Sequence, residues 1–161
     1  MELVFYEEKF FDLVANYILT DEQLNYTDTP QACVEKQKED STRHSILAIE
    51  NTSLVTFFTL HEKDGVTPYS ENTAAILVRA FSTDFRFLGQ GYAKQALKLL
   101  PAFVETHFPH INEIVLAVNA ENMAAQHLYK KCGFMDEGIR TIGKKGELFV
   151  MSFYLSRINR L

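Results

Sequence analysis

The sequence predicts an α/β protein of the mixed (α+β) kind: a single mixed, mainly antiparallel sheet of six to seven strands with helices on both faces. Three observations carry this expectation. Apolar residues switch between strand-like runs and helical spacing in the order β-α-α-β-β-β-α-β-α-β-β. A glycine-bearing turn, Leu88-Gly89-Gln90-Gly91-Tyr92-Ala93-Lys94, joins an apolar strand run to the longest helical pattern. A second strand-to-helix junction, Val118 to Phe134, follows downstream.

The elements follow in order. Glu2 to Tyr6 reads as a short first strand, and Phe10, Phe11, Leu13, Val14, Tyr17 and Ile18 recur at helical spacing, predicting an amphipathic helix over 8–19. Asp28-Thr29-Pro30 supplies a cap and an early proline for a polar helix to about Asp40. His44–Glu50 and Leu54–Glu62 are β-rich runs around Asn51-Thr52-Ser53, a predicted hairpin. Lys63 to Asn72 is a polar loop, and Thr73 to Thr83 is nearly continuous apolar sequence, as a central strand requires. Gly91 to about His107 is helical in pattern but contains Pro101, which removes a hydrogen bond at a cost of about 3 kcal/mol. A kink, or two short helices in line, is the expectation there. Ile111 to Val118 is a further strand; Asn122 caps a helix that Gly133 stops after Lys131. Ile139–Ile142 and Leu148–Leu155 read as a closing hairpin around Gly143 to Gly146.

The chain of 161 residues suits a single domain, 1–161, and its 47% apolar and 23% charged residues are those of an ordinary globular protein. Cys33 and Cys132 lie far apart and outside any CxxC, the pattern of buried thiols in a reducing compartment. Neither a signal peptide nor a run of membrane-spanning length is legible, so a cytoplasmic location without a membrane partner is expected. A formal net charge of −5 argues against a nucleic-acid partner, which needs clustered Lys and Arg. It is compatible with a cationic small substrate. The histidine spacings suggest no metal site.

The chemistry concentrates in the two junctions. In the first, Gly89, Gly91 and Ala93 leave backbone N–H groups unobstructed where a helix begins. First-turn N–H groups lack intrahelical partners and carry partial positive charge, so a phosphate is their natural partner. A dinucleotide fingerprint is excluded, because Lys94 stands where its third small residue belongs and no acid ends the following strand. A Walker A loop is excluded because no Gly-Lys-Ser/Thr is present. In the second junction, Asn122, Ala125 and Tyr129 fall three and four residues apart, on one helix stripe. The small Ala125 between a polar cap and a phenol leaves room for a ligand along that stripe.

From about Ala74 to Phe134 the sequence resembles the GCN5-related N-acetyltransferase (GNAT) family. The family's Gln/Arg-x-x-Gly-x-Gly/Ala loop aligns on Leu88, Gly91 and Ala93, with Leu88 departing from the usual Gln or Arg. Its Asn-x-x-Ala-x-x-Leu-Tyr-x-x-x-Gly-Phe pattern matches at every marked position from Asn122 to Phe134. The resemblance implies an acyl-CoA N-acyltransferase-like fold and an enzyme that moves the acetyl group of acetyl-CoA to a primary amine of a small molecule or protein. It implies that acetyl-CoA lies in a splay between the strands ending near Thr83 and Val118. Main chain at Phe81, Ser82 and Thr83 then pairs with the pantetheine arm, and Leu88, Gly89, Gln90, Gly91, Tyr92, Ala93 and Lys94 wrap the pyrophosphate. Arg86 or Lys94 is a substitute source of positive charge for Leu88. Asn122 hydrogen-bonds the cofactor arm beside Ala125, N–H groups near Phe81 stabilise the oxyanion, and Tyr129 protonates the departing thiolate.

A general base is not specified. Ala74 to Thr83 contains no acid, which leaves Glu50, Glu62, Glu71 and Asp84 as candidates at strand ends or in loops, or loss of the amine's proton through water. His127, His107 and His110 read as solvent-exposed. Acceptor choice is expected from Leu19–Tyr26, the helix after it and Lys63–Asn72; Asp21, Glu22, Tyr26 and Asp28 mildly favour a cationic amine. The alternative to an enzyme is a CoA-binding sensor or interaction module of the same fold. Relatives of this kind often dimerise, and the C-terminal hairpin is the expected surface.

Overall fold

Seven strands form one sheet in the order β1-β2-β3-β4-β5-β7-β6 among the described residues, 1–155, of the computed structural model. Residues 156–161 of the predicted domain lie outside the described residues. The strands are β1 (Glu2–Phe5), β2 (Arg43–Glu50), β3 (Ser53–His61), β4 (Ala75–Thr83), β5 (Glu113–Asn119), β6 (Met135–Gly143) and β7 (Gly146–Tyr154). Every neighbouring pair is antiparallel except β4 and β5. That pair needs a crossover, which α4 (Tyr92–His107) provides. The mixed, mainly antiparallel sheet expected from the element order is therefore the observed one.

Side chains alternate between the two faces, as strand geometry requires. On one face Ile46, Phe58, Ile76, Val78, Ile114, Leu116 and Met151 pack against Leu97, Leu100, Phe103 and Val104 of α4 and Tyr129 of α5 (Met123–Lys131). On the other, Leu47, Leu54 and Phe57 meet Val14 of α1 (Phe11–Ala15) and Cys33 and Val34 of α3 (Pro30–Glu39). Each such fully buried side chain contributes about 1.5–3 kcal/mol. Thr29 accepts a hydrogen bond from Ala32 N–H and Pro30 occupies the first helical position, so the predicted cap of α3 is present. The β2–β3 turn is the expected hairpin: Glu50 pairs with Ser53 across Asn51 and Thr52, both at positive φ (48° and 73°), the sense that matches strand twist.

Four local expectations are corrected. The helix expected over 8–19 is a 3₁₀ turn at Glu8–Phe10 followed by the short α1, because Tyr17 and Ile18 are held by β4 instead of continuing the helix. The loop Leu19–Tyr26 contains α2 (Asp21–Leu24), started by a reciprocal Thr20–Gln23 capping box. That Thr-x-x-Gln signal stands in the sequence, inside the segment expected to be only a loop. Pro101 does not split its helix. Tyr92–His107 is one element, held across the proline by buried Leu97, Leu100, Phe103 and Val104. Strand β6 begins at Met135, four residues before the expected Ile139. Cys33 is buried as expected, whereas Cys132 is only half buried; both are free thiols.

Between β3 and β4, a 3₁₀ turn at Lys63–Gly65 lays its backbone on the His61 ring. A Cβ at Gly65 would stand 2.3 Å from Cγ of His61, which is itself 5% exposed and has no room to retreat. Gly65→Ala is accordingly expected to cost about 1–3 kcal/mol, the usual range for overpacking. Urea unfolding checks this as a lower midpoint at unchanged slope.

Candidate active site

The site originates in a defect of β4. Its parallel pairing with β5 runs only from Ala75–Glu113 to Val78–Leu116. Beyond Arg79 the register of β4 against β3 shifts, so that Ala80 and Phe81 together stand opposite Phe58. Ala80 has φ 55°, an uncommon conformation for a residue with a Cβ. Past this bulge β4 follows β3, while β5 continues along β7 through Asn119. The two parallel strands part. Asp84 N–H donates to Val55 O, and antiparallel alternation then turns the main-chain groups of Phe81 and Thr83 away from β3, into the gap.

An N-terminal strap fixes this end of β4. The Tyr17 hydroxyl donates to Ser82 O at 2.8 Å and lies 3.0 Å from Ser82 Oγ. Gln23 Nε2 donates to Thr83 O at 2.7 Å. Ile18 N–H donates to Asp84 Oδ2, and Phe85 N–H returns a bond to Ile18 O. Asp84 is fully buried and also accepts from Arg86 N, Nε and Nη2. Burial pushes its carboxyl up, but the Arg86 side chain, Ile18 N–H and Arg86 N–H together outweigh that and hold it below the usual carboxylate range.

Beyond Asp84 the chain turns through Phe85–Phe87 into Gly89 and Gly91, at φ 76° and 81°. Gly91 is the N-cap of α4 in the left-handed conformation and contributes no side-chain cap. The first bonded amide is Gln95 N, to Gly91 O, so those of Tyr92, Ala93 and Lys94 are left free of helical partners. They open on a cleft of about 420 Å³ between this loop and α5. Its walls are Thr83, Phe87, Leu88, Gly89, Gly91, Tyr92, Ala93 and Lys94 on one side and Ala124, His127, Leu128 and Lys131 on the other.

Tyr129 enters from α5 at the gap, 9% exposed, its ring edge-on to Phe81 at 6.0 Å between centroids. Burial raises the phenol above its ordinary value, so it stays protonated through neutral pH. Asn122 caps α5 through Oδ1, which accepts from Ala125 N–H at 3.3 Å, and Gly133 at φ 96° terminates the helix. Buried Gln126 ties α5 to the end of β5 by donating to Asn119 O and Ala120 O.

Residues 11–134 match the acetyltransferase (GNAT) family. The chain belongs to the GNAT family. This acetyltransferase is 36% identical over 156 residues to the uncharacterized N-acetyltransferase YbbJ of Bacillus subtilis (strain 168), covering 96% of this chain and 98% of that protein. Two solved structures share its fold. Spermidine N-acetyltransferase from Vibrio cholerae, in complex with CoA and spermine, has a TM-score of 0.72 at 17% identity over 95% of this chain and 94% of that one. Aminoglycoside acetyltransferase AAC(6')-Ib, in complex with CoA and kanamycin, has a TM-score of 0.78 at 15% identity over 98% and 96%.

Against the acetyltransferase fold the sequence-predicted residues sort by place. Thr83, Leu88, Gly89, Gly91, Tyr92, Ala93 and Lys94 line the cleft. Phe81, Ala125 and Tyr129 form the apolar floor of the gap; Phe81 also stacks on Phe58. Ser82 is buried against Tyr17, and Gln90 is exposed without lining the cleft. Arg86 is spent on Asp84 and Asn16 O, so of the two expected charges only Lys94 reaches the cleft. Sequence reasoning missed Phe87, Ala124, His127 and Lys131. His127 is exposed, as read, yet it borders the cleft; it and Ala124 share a face of α5 one turn before Lys131, a spacing visible in the sequence once α5 is known to face α4. Of the base candidates, Glu62 pairs with His44 and His110, and Glu71 lies in the loop leading into β4, both at the sheet end away from the gap. Glu50 pairs with the Met1 amino group at 2.8 Å.

Asp84 makes stability depend on pH with a definite sign. Its folded pKa is depressed, so its contribution is complete above the ordinary carboxylate value of about 4 and is lost as pH falls through the folded value. Asp84→Ala is expected to cost about 1.5–3 kcal/mol at neutral pH, the range for a hydrogen-bonded charge. The deficit should shrink on acidification, which denaturation at neutral pH and below pH 4 checks.

Proposed function

We propose that the cleft and the gap form one continuous acetyl-CoA site and that the enzyme acetylates a primary amine within it by direct attack. The observation that carries this reading is the continuity of three features: the bare N-terminus of α4, the cleft wall at Thr83, and the Phe81–Tyr129 contact at the parting of β4 from β5. CoA in complexes of two proteins of the same fold, with spermine in one and kanamycin in the other, supports both the co-substrate and the amine acceptor.

Free amides of Tyr92, Ala93 and Lys94 take the pyrophosphate, as helix N-termini take anions. Lys94 and Lys131 add cationic side chains around the cleft, beside His127, in place of the Gln or Arg that Leu88 replaces. Turned away from β3, the main-chain groups of Phe81 and the N–H of Thr83, whose carbonyl Gln23 already holds, receive the pantetheine arm like an added strand, and Asn122 borders it. The Phe81 N–H polarises the thioester carbonyl. A neutral amine attacks that carbon; the C–N bond forms, the C–S bond breaks, and the nitrogen sheds one proton to water. Tyr129, kept protonated by burial, donates its proton to the leaving sulfur and regains one from solvent. Asp84 is excluded as the base because its oxygens are filled. Free Cys33 and Cys132 support a cytoplasmic setting. Exposed Ile139 and Ile142 on edge strand β6 support a homodimer through the C-terminal hairpin.

Three variants test the site. A Cβ at Gly91 meets nothing within 4 Å, so Gly91→Ala pays only the strain of positive φ, about 1–2 kcal/mol. Gly91→Glu pays the same strain and also places a carboxylate beside the anion site. Calorimetric titration with acetyl-CoA should show binding kept in Gly91→Ala and abolished in Gly91→Glu; equal loss in both would refute the loop assignment. Tyr129→Phe should lower kcat by about a hundredfold, the lower end for proton transfer, with acetyl-CoA affinity unchanged. Undiminished thiol release would remove Tyr129 as the acid.

A further inference from the structure

The sheet face opposite α4 is covered unevenly. Helices α1 and α3 lie over β2 and β3, and Val66 with Tyr69 lies over the first half of β4 and β5. Arg79 stands at the edge of this cover, on the face it shares with Ala75 and Leu77, one residue before the bulge that opens the gap. Its side chain is half-buried.

A guanidinium cannot shed its charge, and burial without a counter-ion is costly. The three other arginines among the described residues each hold a carboxylate: Arg43 with Asp40, Arg86 with Asp84 and Arg140 with Asp136. Arg79 holds none. Its partner is a ring nitrogen, with Nη1 donating to His61 Nδ1 at 3.1 Å. On its other side, His61 Nε2 lies 3.4 Å from Asp40 Oδ2. The backbone of Gly65 closes over the ring. Burial, then Arg43 and Arg79, disfavour a charged His61, consistent with a ring that accepts from Arg79 and donates toward Asp40. The groups around Arg79 are thus His61, Arg43, Tyr69, Cys33 and Asp28, the last paired with Lys36 at 2.7 Å. Among the described residues this set holds a cation in place without a carboxylate paired to it.

We propose that Arg79 recognises the acceptor: the amine substrate also carries an anionic oxygen group, carboxylate or phosphate, that pairs with the Arg79 guanidinium on the face opposite α4. The proposal rests on the acetyl-transfer reading of the same site. Counting strand rise over the two residues from Phe81 back to Arg79 separates amine and anion by roughly 7 Å, several bonds in a small molecule. A zwitterionic acceptor of this kind suits both Arg79 and the acidic Asp21–Glu22 segment of the strap.

The test measures thiol release from acetyl-CoA with γ-aminobutyrate, δ-aminovalerate and ε-aminocaproate, each against the alkylamine of equal chain length. Aminoethyl and aminopropyl phosphates form the phosphate arm. Wild-type kcat/KM should favour one anionic series over its neutral partners by about tenfold or more, as a charge-assisted pair implies. Arg79→Gln should erase that preference through the acceptor KM, with the acetyl-CoA KM unchanged, and Arg79→Lys should restore part of it. The better series identifies the anion. Equal or better use of alkylamines by the wild type overturns the proposal, and this arm stands even if Arg79→Gln fails to fold. Survival of the preference in a folded Arg79→Gln overturns it too. Silence toward every amine with acetyl-CoA binding intact overturns the anionic acceptor alone, whereas failure to bind acetyl-CoA overturns the transfer reading beneath it.

Discussion

The bulge at Ala80–Phe81 is the constraint on which the rest of the site depends. A regular β4 would keep its parallel ladder with β5, and every main-chain group of both strands would be satisfied within the sheet. One extra residue opposite Phe58 ends the ladder at Val78 and leaves β4 bound on one side only. The cost is a non-glycine residue at positive φ and a set of unpaired amides and carbonyls. Those groups are what an extended ligand can pair with, and the gap between the strands is where it can lie.

A strand edge freed in this way needs support from elsewhere, and the N-terminal strap supplies it. Tyr17, Ile18 and Gln23 contact three successive residues of β4 and its exit, Ser82, Thr83 and Asp84. Asp84, buried and fully hydrogen-bonded, joins the strap to the turn that leads into α4. The segment expected to choose the acceptor is thereby fastened to the segment proposed to hold the co-substrate. The two are joined by hydrogen bonds that are short and partly buried.

The candidate site was largely legible because its determinants are local. Gly91 at positive φ, the small Ala93, the Asn122 cap and the Gly133 stop are each demanded by backbone geometry within a few residues, and each leaves a mark at fixed spacing. The cleft-lining side chains of α5 left no such mark. His127 and Lys131 are ordinary exposed residues of an amphipathic helix until α5 is laid beside the start of α4. Arg86 went the opposite way: its sequence position promised a charge for the ligand, but buried Asp84 claimed it.

Alternation, helical spacing and capping residues by themselves determined the order of elements apart from α2, the single mixed sheet and the two glycine-punctuated junctions, because these follow from short-range sterics and from which side chains must leave water; the family came from the resemblance of the two junctions to its motifs. Tertiary structure alone decided where α1 stops, that Pro101 leaves α4 whole, that β4 bulges at Ala80, and that Arg79 meets His61 instead of a carboxylate. Each of these outcomes is a competition between a local preference and contacts with residues remote in sequence. Tyr17 and Ile18 lie more than sixty positions from the partners that end α1. Buried apolar contacts, summed over several side chains, outweigh the cost of one proline, and no window of sequence contains both sides of such a balance.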